Sequence, residues 1–206
     1  MSGKVAFVTG GGGVLCSHFA EALAECGAKV AVLSLNLDKA QAVADRIIAS
    51  GNEAIALSAN VLEEESLKVV EKVVRETYGT CDILVNGAGG NSPKCTSDKE
   101  MVNAEELKDS VDGSFFGFDS SGVDFVFDLN YTGTVKTCKV FGEAMAKAGR
   151  GNILNVSSMS SYHPMTKVMA YSNAKAAVNN FTEWLACHLA PTGVRVNALA
   201  PGFFLT

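Results

Sequence analysis

Long apolar runs are missing from this sequence. No stretch approaches the roughly 18 consecutive apolar residues of a membrane-spanning helix, and the opening MSGKVAFVTG lacks the basic segment and apolar core of an export signal. Both absences point to the cytoplasm and away from a membrane partner. Blocks of one charge are missing too. Seventeen Lys and Arg against 22 Asp and Glu leave a net charge of −5, with the signs interspersed and no basic stripe, which argues against nucleic acid as a main partner. An acidic small molecule would need a local basic group. The six cysteines, at 16, 26, 81, 95, 138 and 187, form no CxxC pair and have no histidine at zinc-ligand spacing. They read as reduced thiols in or near a core, and no metal site is expected.

What is present is an alternation of β-branched apolar runs with helical periodicity along the whole chain, the pattern of βαβ units and a parallel sheet. Strands are predicted at 4–9, 29–34, 53–58, 81–86, 151–157 and 193–199, and helices at about 14–26, 37–50, 62–78, 123–149 and 168–190. Pro191 and Gly193 supply the last helix's stop signal. Residues 87–122 form one long irregular stretch around a possible short helix at 103–110; a loop of that length in a compact domain is usually functional or disordered. The predicted fold is a single α/β domain over 1–206, a doubly wound, Rossmann-type parallel sheet with six strands present.

The segment TGGGGVLC at 9–16 joins the first strand to the first helix. Four glycines there let bare backbone approach a pyrophosphate, while the helix N-terminus faces its charge. In YSNAK, Tyr171 and Lys175 stand at i, i+4, so their polar ends can meet on one helix face. Ser158 closes NVSS at the tip of a strand. With Asn130 in DLNYTG, NGAG at 86–89 and PGFFLT at 201–206, the whole chain resembles the short-chain dehydrogenase/reductase family.

The resemblance implies a reaction and a site. Hydride passes between NAD or NADP and a small secondary alcohol or ketone. Tyr171 is then the general acid/base, Ser158 hydrogen-bonds the same substrate oxygen, Lys175 binds the nicotinamide ribose and lowers the Tyr171 pKa together with the oxidised nicotinamide, and Asn130 supports a proton relay. Cofactor contacts are implied at Gly10, Gly12, Gly13, Val14 and Leu15 in the glycine turn. Others are implied at Ser34, at Asn60 and Val61, at Asn86, Gly87, Ala88 and Gly89, at Tyr171 and Lys175, and at Pro201, Gly202, Phe204 and Thr206. A homo-oligomer through helices 123–149 and 168–190 is also implied.

Several positions depart from the family pattern. The usual TGxxxGxG would place glycines at 10, 14 and 16, where this chain has Gly10, Val14 and Cys16. Cys16 reads as a small buried hydrophobe. The second strand ends at Ser34 instead of the acid that grips a ribose 2′-OH, and only Lys39 is near to hold a 2′-phosphate, which leaves the choice between NAD and NADP open. The glycine turn, NGAGGN and the long loop, a substrate-side segment over 87–122, resemble the narrower group of D-mannonate oxidoreductases (fructuronate reductases). Asn91, Lys94 and His163 could then contact a sugar acid such as mannonate or fructuronate, although surface roles suit Lys94 and His163 as well; His18 and His188 receive no chemistry. The family usually continues past PGxxxT with further helices and a seventh strand. A chain cut short there would lack that strand, leave 193–199 as an exposed edge, and could be a dinucleotide-binding fragment of impaired activity rather than a working enzyme.

Overall fold

The computed structural model describes residues 1–204. In chain order its regular elements are β1 (Val5–Thr9), α1 (Val14–Glu25), β2 (Lys29–Ser34), α2 (Leu37–Ala49), β3 (Ala54–Ser58), α3 (Glu64–Thr77), β4 (Ile83–Asn86), α4 (Ala104–Asp109), α5 (Ser120–Phe127), α6 (Gly133–Lys147), β5 (Gly151–Val156), α7 (Met169–Leu189) and β6 (Val194–Leu199). The strands form one sheet in the order β3-β2-β1-β4-β5-β6. All pairs are parallel. The direction of winding reverses between β1 and β4, and at such a switch point the carboxyl ends of the strands leave a crevice for a ligand.

Side-chain alternation along β1 divides the core. Val5 and Phe7 pack on one face with Leu67, Val70 and Val74 of α3, Phe141 and Met145 of α6, and Leu185 of α7. Ala6 and Val8 pack on the other with Ala20 and Ala24 of α1 and Val43 and Ile47 of α2. Burying both faces explains why the strands read as continuous apolar runs instead of alternating ones. Each large aliphatic or aromatic side chain so enclosed contributes about 1.5–3 kcal/mol. Among the described residues, no helix is long and apolar enough to cross a membrane.

A buried polar chain crosses the first of these layers. Thr137 Oγ1 of α6 donates to Asn86 Oδ1 at 2.6 Å, Asn86 Nδ2 donates to Asn155 Oδ1 at 2.9 Å, and Asn155 Nδ2 donates to Thr182 Oγ1 of α7 at 2.8 Å. Thr182 in turn donates to the Val178 carbonyl. Every link is satisfied, so the carboxyl ends of β4 and β5 are fixed against both helices at little desolvation cost.

The helix expected over 123–149 begins earlier, at Ser120, and is not uniform. Asp128–Thr132 forms a π-turn between α5 and α6. Asn130 supplies the cause: its Nδ2 donates to the Val126 carbonyl at 2.8 Å, the acceptor that its own backbone N–H would use in an α-helix. The ladder then slips, and Gly133 N–H reaches back five residues to the Asp128 carbonyl. The long stretch after β4 is also anchored. Cys95 is buried with Val126 of α5 and Ala170 and Ala174 of α7, and Ser97 N–H donates to the Lys167 carbonyl.

Candidate active site

β1 delivers the chain into the glycine turn at the switch point. Gly10 has φ +67°, and a Cβ there would lie 2.8 Å from the Gly87 carbonyl oxygen. A Cβ on Gly12 would lie 2.8 Å from Lys39 Cβ and 3.1 Å from Ser34 Oγ. Side chains are thus excluded by close approach from β4 on one side and α2 on the other. Gly13 caps α1 without a side chain, and the first turn of α1 carries no carboxylate. Since Ser17 N–H is the donor to the Gly13 carbonyl, the N–H groups of Val14, Leu15 and Cys16 have no helical acceptor. Such a terminus suits a phosphate.

The turn forms the floor of a cleft of about 570 Å³. Its outer end is lined by Ser34, Leu35, Asn36, Lys39, Asn60 and Val61, and its inner end by Gly87 to Gly90, Phe125, Leu129, Tyr171 and Lys175. Among the described residues no Asp or Glu lines it, while two lysines do. The balance favours an anion. Thr9 Oγ1 fixes the wall by accepting from Gly87 N–H at 3.1 Å and Ala88 N–H at 3.2 Å. At the outer end, Ser34 Oγ accepts from Asn36 N–H at 3.3 Å, and Asn36 Oδ1 caps α2 by accepting from Lys39 N–H. Asn60 Oδ1 accepts from Leu62 N–H at 3.1 Å and its Nδ2 donates to Glu63.

At the inner end, α7 presents Tyr171 and, one turn on, Lys175. Lys175 is 4% exposed, and its Nζ donates to the Val156 carbonyl at 2.8 Å. The same Nζ lies 5.6 Å from the centre of the Tyr171 ring. Burial pulls the Lys175 ammonium down to about 8, against a smaller upward effect from Cys16. Tyr171 is half-buried; burial pushes its phenol above its ordinary value, and the neighbouring Ser158 works the other way. In the protein alone, then, desolvation outweighs any lowering of the Tyr171 pKa. Ser158 Oγ accepts from Ser160 N–H at 3.2 Å and Ser160 Oγ at 3.0 Å. With its lone pairs so occupied, its own proton is left to donate.

Asn130 is fully buried. Its Oδ1 accepts from Gly90 N–H at 3.1 Å, and its Nδ2 donates to the Gly90 carbonyl at 2.7 Å as well as to Val126. Thr134 Oγ1 covers the Asn130 backbone carbonyl at 2.8 Å. The side chain is therefore committed to holding Gly90 in place.

A crevice with a glycine floor, free helix amides, a carboxylate-free lining and a Tyr–Lys pair at its inner end accommodates a dinucleotide. The family model described as short chain dehydrogenase matches residues 4–206. The chain belongs to the short-chain dehydrogenases. It is 49% identical over 206 residues to an oxidoreductase of Bacillus subtilis named UxuB, covering all of this chain and 73% of that one. A crystal structure of a Haemophilus influenzae protein, described as a candidate D-mannonate oxidoreductase with bound NAD, matches with a TM-score of 0.94 at 46% identity, covering all of this chain and 73% of that one. A metagenomic short-chain oxidoreductase in complex with NADP matches with a TM-score of 0.83 at 27% identity, over 98% and 83% of the two chains. This short-chain dehydrogenase is an NAD(P)-dependent oxidoreductase.

Not every residue singled out from the sequence reaches the cleft of this dehydrogenase. Asn86 lies inside the sheet, where its amide bonds Asn155, Cys138 and Thr137. Pro201 is tied by its carbonyl to Met159 N–H, Gly202 lies beside Met159, and Phe204 is exposed; Thr206 lies outside the described residues. Lys94 pairs with Asp119 at 3.1 Å, Asn91 donates to Thr96, and His163 is exposed. Phe125 and Leu129 line the cleft without having been singled out. They stand at i, i+4 to one another, the spacing that puts two side chains on one helix face.

Proposed function

We propose that this short-chain dehydrogenase binds its dinucleotide along the cleft, with the pyrophosphate at the α1 N-terminus and the nicotinamide end toward Tyr171, and that it acts on a sugar acid of the mannonate/fructuronate type. One observation carries the reading: Tyr171 and Lys175 line the inner end, with Ser158 hydrogen-bonded to Tyr171 and Lys175 buried with no carboxylate among the described lining residues. The nicotinamide, when bound, gives or takes the hydride. Tyr171 moves the proton at the substrate oxygen, and the Ser158 hydroxyl donates a hydrogen bond to that oxygen. Lys175 Nζ holds two further protons for ribose hydroxyls beyond the one given to Val156.

The sugar-acid assignment is supported by the described activity of the Haemophilus protein. Its test is a panel of aldonates, ketoaldonates and uncharged secondary alcohols, followed through the nicotinamide absorbance with each cofactor. D-Mannonate, or fructuronate in the reverse direction, is expected to turn over well above the uncharged alcohols. Equal or better turnover of the uncharged alcohols would remove the sugar acid from the proposal.

Cofactor choice should turn on Ser34. A carboxylate introduced by Ser34→Asp would stand beside Gly12 and face Lys39 across the outer end of the cleft. It can accept from a ribose 2′-OH and repels a 2′-phosphate, so the NAD over NADP affinity ratio should rise by about tenfold, close to 1.4 kcal/mol. Calorimetric dissociation constants for both dinucleotides check this. An unchanged ratio would place the adenosine ribose elsewhere.

A further inference from the structure

Cys16 stands where the family's glycine pattern expects no side chain, and the structure shows where the displaced space went. A Cβ on Gly87 would lie 2.0 Å from Cys16 Sγ, 3.5 Å from Cys16 Cβ and 3.0 Å from the Thr9 carbonyl oxygen. Positions 16 and 87 therefore share room for a single side chain. That side chain is 4% exposed and sits at the cleft wall. Above it, Gly87 and Ala88 hang by their N–H groups from Thr9 Oγ1, while Gly90 is clamped by Asn130. The segment 87–90 is thus fixed by hydrogen bonds at both ends, and at Gly87 its depth is set by contact with sulfur. Burial pushes the thiol up to about 11, against a smaller lowering by Lys175. The sulfur stays neutral and leaves the Lys175 ammonium without a counter-charge.

We propose that Cys16 is a positioning residue for the dinucleotide: its side chain props Gly87 at the depth that the cofactor requires, and Gly87 is glycine because Cys16 occupies the shared space. The proposal rests on the reading that the dinucleotide lies in this cleft.

The test is a double-mutant cycle of Cys16→Ala and Gly87→Ala with Cys16→Ser alongside, reading NADH affinity by fluorescence, KM for the cofactor, kcat at saturation and melting temperature. Cys16→Ala alone should weaken NADH binding by about threefold, and Cys16→Ser, which returns an atom to the spot, should recover most of that. Gly87→Ala should weaken NADH binding and raise the cofactor KM by about tenfold, with kcat at saturation much less affected. In the double variant the Gly87→Ala effect should shrink to about threefold, a coupling within the range usual for residues in contact. Equal Gly87→Ala effects in both backgrounds would overturn the proposal. So would losses confined to melting temperature and kcat with the cofactor KM unchanged, since that is the signature of a merely structural pair. If Gly87→Ala does not fold, the Cys16→Ala and Cys16→Ser pair decides by the same affinity reading. Ser34→Asp separates the two possible failures. If it shifts dinucleotide affinity while the Cys16 variants do not, the positioning role alone falls; if neither responds, the cleft assignment falls with it.

Discussion

Tyr171→Phe is expected to lower turnover by about 10²–10⁴-fold, the usual contribution of a positioned acid/base, while NADH affinity stays within about twofold. The ring remains, and with it the packing against the cluster of Cys95, Val126, Ala170 and Ala174. Only the phenolic hydroxyl is lost. Because burial holds that phenol above its ordinary value, alcohol oxidation by the wild type, which in the proposed mechanism draws on the phenolate, should rise with pH across the alkaline range. Carbonyl reduction, which needs the phenol, should not. Steady-state kinetics of both proteins from pH 6 to about 10 check both statements. Residual activity above about a tenth of wild type would assign the proton transfer to another group.

Lys175→Met should abolish efficient turnover by about 10²-fold or more and raise the cofactor KM. Its effect on stability should also depend on pH. Lys175 is enclosed, with Val156 as its hydrogen-bond acceptor, and burial brings its pKa from 10.5 to about 8. Below pH 8 both folded and unfolded chains hold the proton, and the cost of enclosing the charge stands in full. Between 8 and 10.5 the folded chain has released a proton that the unfolded chain keeps, so the cost fades as pH rises. At about 1.4 kcal/mol per pH unit, wild type should gain up to about 3 kcal/mol on the variant across that window. The loss of a donor to Val156 is a constant offset and leaves the slope alone. Urea titrations at several pH values read it directly. Parallel stability curves for the two proteins would mean that the ammonium is not enclosed.

The strands were legible because a sheet covered on both faces demands continuous β-branched runs, and β1 from Val5 to Thr9 is buried at every position. That Tyr171 and Lys175 meet was legible through helical spacing; their role came only from the joint resemblance with the other segments. The π-turn was not, since apolar periodicity continues on both sides of Asp128–Thr132. It comes from one amide competing for one carbonyl, which no pattern of hydrophobicity records. Asn86 read as part of the cofactor segment because it adjoins Gly87; strand alternation turns its side chain inward instead, to Asn155 and Thr137. Lys94 looked available for a carboxylate, and its partner Asp119 arrives only when the intervening loop folds back. Ionisation was the least legible property. Spacing brings Lys175 to Tyr171, but the dominance of desolvation over the Ser158 hydrogen bond at the phenol depends on burial.

The junction of Asn86 with Gly87 also governs how this molecule ages. In a flexible chain an asparagine before glycine deamidates readily, as the glycine nitrogen attacks the side-chain carbonyl carbon to close a succinimide. Here that nitrogen points its proton at Thr9 Oγ1, and the Asn86 amide is held by Thr137 and Asn155. Ring closure would have to break all three bonds. The native fold therefore protects this Asn–Gly link, and deamidation there accumulates during excursions to the unfolded state. A chain damaged there cannot return unchanged, because an aspartate at position 86 would bring a negative charge into a site where Asn155 Oδ1 needs a donor. Each long unfolding episode is then a chemical clock, and heat inactivation becomes irreversible by covalent change even where aggregation is prevented.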